Sequence, residues 1–462
     1  MFPRASYSAR RQELKTKLKT GILLFPGNEE SPMNYRDNAY PFRQDSSFLY
    51  YFGLDFPGLT AIIDLDEDRE IIFGNELTID DIVWMGNQPT LKEKASQVNV
   101  LHTAPADQVN GYLASALQSG RPVHYLPPYR AETKIKLMEL LAIHPALQEE
   151  KASAEFIRAV VSQRAYKSAE EIEEIEKAVD TSVRMHETAM KMARRGMKEV
   201  ELAAEVQRLA VAAGGQLAFP VICTINGQTL HNHNYGNTLK SGDMVLLDTG
   251  AETARHYGGD LSSTFPVDPA FTPGQREIYE IQLRAYRAAI EALKPGVSNR
   301  DVHLLACRTL AAGLKEIGLM KGDIDDAVSQ GAHAMFFPCG TGHMMGLDIH
   351  DMENLGETYV GYNEQPRSLQ FGLKSLRLAR TLEPGFVITI EPGIYFIPEL
   401  IERWKSEQRF TEFINYEKLE RYRHFGGIRN EENFLITADG HRLLGRPKPV
   451  RIADVEAMRS EK

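Results

Sequence analysis

The chain has 462 residues, of which 43% are hydrophobic and 25% charged, a composition typical of a globular protein with two or three domains. Its net charge of −10 disfavours nucleic acid and anionic membrane as main partners, because both require a basic face. Three scattered cysteines without a C-x-x-C pair indicate neither a disulfide framework nor a thiolate zinc site: Cys223, Cys307 and Cys339. The charged N-terminal stretch lacks a signal-peptide core, and no apolar run reaches the ~18 residues of a membrane helix, so we expect a cytoplasmic protein.

The first part of the chain predicts a smaller α/β domain spanning residues 1–165. A charged helix is expected over residues 8–20, followed by the strand GILLFPG. Two β-like segments follow, GLTAIIDLD and REIIFGN, and then helical stretches around 106–119 and 130–142.

The second predicted domain, residues 166–462, begins at a capping box formed by Ser168 and Glu171. Helices are expected from there to about 195 and over 198–213, followed by the strand-like segments FPVICTIN, DMVLLDTGAE and DLSSTFPV. A second pair of helices is predicted over 272–296 and 299–317, followed by FVITIEPGIYF and NFLITADG. Two helices followed by strands, twice over, indicate an internally duplicated α+β domain.

Two carboxylates lie twelve positions apart in the first half of this domain. Asp248 ends an apolar strand, and Asp260 opens DLSSTF. The intervening GAETARHYGG fits a hairpin connection, which would bring the carboxylates close enough to repel each other unless a cation is bound. Taken alone, Asp248 is more simply a strand-ending residue that caps a turn.

Three further polar residues lie at strand ends or glycine-rich turns of the second half. His343 lies in GTGHMMGLDIHD, Glu391 follows the strand VITI, and Glu431 lies in GGIRNEENFLIT. Each has an ordinary alternative: a hydrogen-bonded histidine, a solvent-facing strand-end Glu, or a Glu paired with Arg429. Together with Asp248 and Asp260 they form an oxygen-rich set that suits two divalent cations and predicts metal-assisted hydrolysis.

The same five motifs resemble, in order over residues 160–445, those of the "pita-bread" metallopeptidases, which include methionine aminopeptidase, aminopeptidase P and prolidase. YPFRQDSSFLYYFGLDFPG resembles the N-terminal domain of aminopeptidase P and prolidase, which methionine aminopeptidase lacks. The resemblance implies an α+β fold, with an internally duplicated pita-bread catalytic domain preceded by a smaller α/β, creatinase-like domain. It also implies a homodimer or homotetramer.

The resemblance assigns roles to individual residues. It implies metal ligation by one set of five: Asp248, Asp260, His343, Glu391 and Glu431. Within RNEEN the ligand is Glu431, not Glu432, and Asn430 would point away from the ligands. Two divalent ions are implied; Mn²⁺ is favoured, with Co²⁺ or Zn²⁺ as alternatives.

Further residues are implied in catalysis and substrate binding. Glu391 would also carry protons, and His350 would steady the oxyanion. His231 would be the second substrate-side histidine, and its neighbour His233 competes for that role. A hydrogen-bonded set near the metals is also implied: Asp37, Tyr395 and Arg429.

The implied substrates are small peptides with proline at the second position. Arg377 matches the prolidase arginine that binds the substrate carboxylate, which favours an Xaa-Pro dipeptidase over an aminopeptidase P acting on longer peptides. The alternative is that Arg377 is a surface residue on a long loop or part of an interface. A creatinase-like hydrolase and a pseudoenzyme that serves as a binding module are further alternatives, which five intact ligands disfavour.

Overall fold

Local capping signals set several helix boundaries in this computed structural model, which describes residues 1–461. Capping boxes at Ser168 and Thr272 begin the two long helices of the second domain, as predicted. The predicted first helix is present, but its bounds differ, because it runs from Arg4 to Lys17 rather than over 8–20. Its buried face already begins at Tyr7, and Pro3 precedes it, a residue that suits a helix start.

The first compact unit comprises residues 1–164 and 352–359. Its strands form one sheet in the order β4-β3-β2-β1-β5, with antiparallel pairs at the centre and parallel pairs at both edges. Leu113 and Leu137, from two helices, pack with Ile22 and Ile62 of the sheet in a buried core. The elements are β1 (Ile22–Pro26), β2 (Thr60–Asp64), β3 (Arg69–Phe73), β4 (His102–Ala104), β5 (Val123–His124), α1 (Arg4–Lys17), α2 (Ser46–Phe52), α3 (Ile79–Met85), α4 (Leu91–Gln97), α5 (Gln108–Gln118), α6 (Ala131–Leu141) and α7 (Ala154–Arg164).

The second unit comprises residues 165–351 and 360–462. Its first half contains α8 (Ala169–Met192), α9 (Glu199–Ala212), β6 (Gln216–Leu217), β7 (Ile222–Thr224), β8 (Met244–Asp248), β9 (Ala251–Glu252) and β10 (Ser262–Pro266). Its second half contains α10 (Pro273–Glu291), α11 (Asn299–Glu316), α12 (Ile324–Gln330), β11 (Val387–Ile390), β12 (Gly393–Tyr395), α14 (Pro398–Ser406), α15 (Tyr416–Leu419), β13 (Gly427–Arg429), β14 (Glu432–Ile436), β15 (His441–Leu443) and α16 (Ile452–Ser460). The short helix α13 (Glu357–Gly361) belongs to the first unit up to residue 359. Within residues 1–461, no helix is both long and apolar enough to cross a membrane.

The two halves of this unit repeat the same order of elements. In the first half α8 packs against α9, and β8 is the central strand of the sheet β10-β8-β7. In the second half α10 packs against α11, and β14 is central in β11-β14-β15. The predicted duplication of two helices followed by strands is therefore present in the α+β fold.

Two strand predictions were too simple. The segment between β8 and β10 is not a plain hairpin connection, because it contains β9, which pairs with the earlier strand β6. FVITIEPGIYF is not one strand, since β11 pairs with β14 whereas β12 pairs with β13. The break falls at Glu391 and Pro392, where proline has no N–H to continue a ladder.

Candidate metal centre

Strand ends position the acidic side chains of the candidate centre. Asp248 is the last residue of β8 and pairs in register with Ser262, the first residue of β10. Asp260 lies two positions before Ser262. Glu391 directly follows β11, and Glu431 lies between β13 and β14. The fold therefore delivers one carboxylate from each of four strand ends.

A backbone bridge joins the two halves at this point. The Glu431 N–H donates to the Ser262 carbonyl at 3.0 Å, and the two residues form an isolated antiparallel bridge. Next to it, the Thr264 hydroxyl and the Arg429 backbone bond each other at 3.0 Å in both directions. Side chains separated by about half the domain's sequence thereby reach one site.

His343 is held by a segment that runs beside β11. Its carbonyl accepts from the Thr389 N–H at 3.0 Å, and its own N–H donates to Thr389 Oγ1 at 3.1 Å. The preceding Gly342 passes so close to the strand that a Cβ there would lie 2.0 Å from the Thr389 carbonyl oxygen. Glycine is therefore required to bring the imidazole to the carboxylates.

The five side chains lie close together and are mostly buried. Donor atoms of Asp260, His343 and Glu431 all lie within 4.8 Å of one another. His343 Nε2 is 3.5 Å from Asp260 Oδ2 and 3.7 Å from Glu391 Oε1. Asp248 is joined to the same group through Arg429, which donates to both Asp248 and Ser262, while Ser262 donates to Glu431.

Burial and mutual repulsion make these carboxylates hard to ionise without a cation. Burial raises the pKa of Asp248 to about 7, although Arg429 acts in the opposite direction. Burial and the neighbouring carboxylates raise the pKa of Glu391 and, more strongly, that of Glu431. Burial alone would lower the pKa of His343, but the hydrogen bond to Asp260 and the charge of Glu391 outweigh it and raise that pKa.

Two carboxylate oxygens in the centre have no hydrogen-bond partner. Asp260 Oδ1 and Glu431 Oε1 are fully buried, and no protein donor reaches either atom. A buried oxygen in this state is costly unless something else satisfies it, and carboxylates with one imidazole are suitable ligands for divalent cations. The residues present therefore fit the two-metal centre that the sequence motifs predict.

Arg429 holds the acidic groups in place. Its guanidinium donates to Asp248 Oδ2 at 2.5 Å, to the Tyr395 hydroxyl at 2.7 Å and to Ser262 Oγ at 2.9 Å. The suggested ion pair between Arg429 and Glu431 is replaced by the pair with Asp248. The side chain of Asn430 instead donates to Gln282 of α10 at 2.8 Å.

The predicted substrate-side residues lie around this cluster. The His350 ring is 4.4 Å from the His343 ring, in an edge-to-face arrangement. His231 lies on an exposed loop, and partial burial together with the charges of Arg429 and Arg377 lowers its pKa. His233 is also exposed, and its Nδ1 lies 3.4 Å from the Val221 carbonyl. Both loop histidines remain available to a ligand.

The remaining predicted residues are Arg377 and Asp37. Arg377 is half-buried in the second unit, and its charge acts on the pKa of both Glu391 and His231. The structure therefore brings this cation close to the acidic cluster. Asp37 lies in the first unit, on an exposed turn.

Two supporting residues were missed in the sequence. Ser262 Oγ donates to Glu431 Oε2 at 2.8 Å while accepting from Arg429, so it links two members of the centre. It lies two positions after Asp260, and residues with this spacing share a strand face, which is the signal that could have revealed it. Asp351, next to His350, accepts from Lys167 at 2.8 Å in a fully buried pair. Nothing in the local sequence links these two residues, which are 184 positions apart.

Comparison with known families and proteins gives a consistent result. Residues 173–438 match metallopeptidase family M24, and residues 7–124 match the aminopeptidase P N-terminal domain. The chain is 32% identical to the Xaa-Pro dipeptidase of Homo sapiens, with 98% of this chain and 93% of the human protein covered. It is 31% identical to a probable Xaa-Pro aminopeptidase of Aspergillus clavatus, covering 94% and 92% of the two chains.

Solved structures give the same fold. Proline aminopeptidase P II from Yersinia pestis is 29% identical, with a TM-score of 0.82 and coverage of 99% of this chain and 100% of that one. A substituted Escherichia coli aminopeptidase P in complex with substrate is 27% identical, with a TM-score of 0.81 and coverage of 99% and 98%. The similarity extends over both parts of the chain.

Proposed function

The chain belongs to metallopeptidase family M24, and from this we propose that it hydrolyses the peptide bond before proline as an Xaa-Pro dipeptidase. It is a metallopeptidase by family, and its relatives of both names act on Xaa-Pro bonds. The creatinase-like and pseudoenzyme alternatives lose support, because the acidic cluster is intact.

We assign metal ligation to the five clustered side chains: Asp248, Asp260, His343, Glu391 and Glu431. When bound, two divalent ions would supply Lewis acidity and a water made acidic enough to ionise near neutral pH. The orphaned oxygens of Asp260 and Glu431 support this assignment. Oxygen-rich ligation favours Mn²⁺ among the candidates, with Co²⁺ and Zn²⁺ next.

The chain's own residues then have separable roles. Glu391 is the proposed proton carrier, because its pKa is raised and its side chain is the least buried of the five. His350 is the proposed donor to the developing oxyanion, since its ring lies against that of His343. His231 is the proposed contact to the substrate from its exposed loop. Arg429 keeps Asp248 oriented.

Selectivity for proline has a physical basis. The bond before proline is a tertiary amide without an N–H, and the preceding residue is restricted towards extended conformations. A peptidase that must hydrogen-bond that N–H rejects such a bond. A centre that binds the free amine and the carbonyl on the other side of the bond does not need it.

Arg377 is the residue that supports a preference for dipeptides over longer peptides. A dipeptide has its carboxylate directly after proline, and a guanidinium binds a carboxylate through two parallel hydrogen bonds. Arg377 is close enough to the centre for its charge to oppose the rise in the pKa of Glu391 and to lower the pKa of His231. Aminopeptidase P action on longer peptides is the second candidate, supported by the similarity of fold to two aminopeptidase P structures.

One assay separates the two activities. The purified chain is given Ala-Pro and Ala-Pro-Ala at equal concentrations with Mn²⁺, and kcat/KM is measured for each. We expect at least a tenfold preference for Ala-Pro. A preference for Ala-Pro-Ala would contradict the dipeptidase proposal and favour aminopeptidase P.

We further propose a homodimer or homotetramer in the cytoplasm. The three cysteines are free thiols, which is consistent with a reducing compartment. Exposed apolar side chains on α3, including Trp84 at 86% exposure, support an interface with another copy. Light scattering of the purified chain measures the oligomeric state, and a monomer would contradict this proposal.

A further inference from the structure

A second group of potential metal ligands lies away from the acidic cluster. His303 and Cys307 are four positions apart on α11 and therefore share one face of the helix. His333 approaches them from the short 3-10 helix Ala332–Met335. One donor atom from each of the three residues lies within 4.8 Å of the others. All three side chains are buried, with exposures of 0%, 0% and 3%.

The buried ring of His333 has only a weak hydrogen bond, with the Val328 backbone, where a buried histidine normally has well-formed ones. Neither its Nδ1 nor its Nε2 has a partner of normal hydrogen-bond geometry, although both atoms are inaccessible to solvent. Most buried polar atoms are satisfied, and an exception requires an explanation. An apolar side chain would fill the same space without the desolvation cost of a buried imidazole.

The geometry of His303 and Cys307 is already that of neighbouring ligands. His303 Nε2 lies 3.4 Å from Cys307 Sγ. In a tetrahedral zinc site, bonds of about 2.0–2.1 Å to nitrogen and about 2.3 Å to sulfur separate these atoms by about 3.5 Å. On its other side, His303 Nδ1 bonds Thr341 Oγ1 at 2.7 Å. Such a bond on the second ring nitrogen is the usual support of a metal-binding histidine.

We propose that His303, Cys307 and His333 bind a divalent ion of the zinc class, separately from the acidic centre. One thiolate and two imidazoles form a softer ligand set than the carboxylates and suit Zn²⁺. On binding, the S–H bond of Cys307 breaks, the sulfur bonds the metal, and the proton leaves to solvent, so that one proton is released per ion. This site is additional to the proposed peptidase function, and the proposal does not depend on that function.

Burial sets the protonation states before metal binds. Burial lowers the pKa of His303 to about 3 and that of His333 to about 4, although a weak hydrogen bond with the Val328 backbone opposes the second shift. Both rings are therefore neutral at pH 7 and hold a free lone pair. Burial raises the pKa of the Cys307 thiol, while Arg308 acts in the opposite direction. Only the cysteine must lose a proton.

The position of this site suggests a structural role. A metal here would fasten α11 to the Ala332–Met335 turn. The bond from His303 to Thr341 continues towards the acidic centre, because the Thr341 carbonyl accepts from the Glu391 N–H at 2.7 Å. His343 lies only two residues further along the chain. A metal bound by His303, Cys307 and His333 would thus stabilise the position of the segment that contains His343.

Cobalt provides a probe specific for this site. The full chain is produced in medium containing Co²⁺, so that metal is present during folding. A thiolate bound to Co²⁺ gives a charge-transfer absorption in the near ultraviolet, whereas the acidic centre contains no sulfur ligand. We expect this band in the wild-type protein, with about one equivalent of thiolate-bound metal. Its absence from wild-type protein that contains cobalt would overturn the proposal, independently of any peptidase activity.

Matched variants locate the ligand. Cys307→Ser should lose the band and about one metal ion per chain, and His333→Gln should weaken and shift it. Cys223→Ser is the control, because Cys223 is equally buried but lies on β7. Persistence of the band in Cys307→Ser, or its loss in Cys223→Ser alone, would contradict the assignment. His303 and Cys307 would then be a hydrogen-bonded pair in the core.

Discussion

At the residue scale, Ser262 connects two members of the candidate centre that the sequence separates widely. It donates to Glu431 and accepts from Arg429, and both partners are buried. Without the Ser262 hydroxyl, the Glu431 carboxylate and the Arg429 guanidinium would each lose one hydrogen bond. Supporting hydrogen bonds of this kind orient metal ligands and typically contribute about 10–100-fold in metal affinity.

Ser262→Ala should therefore weaken metal binding by roughly 10–100-fold and destabilise the fold by about 1–3 kcal/mol. Ser263→Ala is the matched control, because Ser263 is equally buried but bonds His186 at 2.9 Å on the opposite face. The control should lower stability without changing metal affinity. Metal titration and thermal unfolding of both variants measure the two effects. Equal metal affinity in the two variants would contradict the role given to Ser262.

Arg377 is the second residue with a separable effect. Arg377→Ala should reduce kcat/KM for Ala-Pro by roughly 10–100-fold, since charged hydrogen bonds contribute about 1.5–3 kcal/mol. Cleavage of Ala-Pro-Ala should change much less, because its carboxylate lies one residue further away. Lys374→Ala, an exposed cation in the same loop, is the control and should leave both rates unchanged. An equal loss on both substrates would exclude Arg377 as the carboxylate contact.

At the element scale, the close packing of the His343 segment against β11 determines where the imidazole lies. Gly342→Ala would place a methyl group 2.0 Å from a strand carbonyl oxygen, so the segment must move. Overpacking of this kind costs about 1–3 kcal/mol, and the shift should also remove a ligand from the centre. Gly274→Ala in α10 is the control, since nothing lies within 4 Å of a Cβ there. Thermal unfolding of both variants is measured with and without Mn²⁺. If Mn²⁺ raises the Tm of Gly342→Ala as much as that of Gly274→Ala, this account is contradicted.

The elements differed in how well the sequence predicted them. Capping boxes and apolar stripes are local signals, so α8 and α10 began where expected. The pairing of β9 with β6 could not be predicted, because residues 216 and 252 meet only through the fold of the intervening chain. Pro392 could have indicated the break between β11 and β12, but no local signal indicates that the two strands have different partners.

The acidic centre itself was predictable in composition but not in geometry. Strand-end positions marked Asp248 and Glu391, and the family motifs ordered all five residues. The bridge from Ser262 to Glu431 spans 169 positions, and no periodicity reveals such a pairing. The surroundings of Cys307 could not be predicted either. The spacing of the cysteines indicated no metal site, because the neighbours of Cys307 in space are histidines.

At the scale of the whole molecule, the cluster links stability to pH and metal. The folded state raises the pKa of Asp248 to about 7 and also raises those of Glu391 and Glu431, whereas unfolded carboxyls titrate near about 4. Raised values mean that the folded protein binds protons more tightly than the unfolded chain. The resulting stability is complete below about pH 4 and is lost as pH rises through about 7.

The metal-free protein should therefore lose thermal stability between about pH 5.5 and about pH 8. Bound cations replace the protons, so the metal-loaded protein should lose less thermal stability over this range. The difference in Tm between the metal-loaded and the metal-free protein should therefore widen as pH rises. Differential scanning fluorimetry with and without Mn²⁺ across this range measures it. A difference in Tm that stays constant or narrows as pH rises would contradict the electrostatic account.

The central claim is that the acidic cluster holds metals on which Xaa-Pro cleavage depends. The most direct measurement is hydrolysis of Ala-Pro by chelator-treated protein as Mn²⁺ is added back, with the protein concentration well above the metal dissociation constant. We predict no detectable cleavage without metal and recovery that is complete at about two ions bound by the acidic centre. Unchanged hydrolysis of Ala-Pro by protein shown to be metal-free would contradict the account.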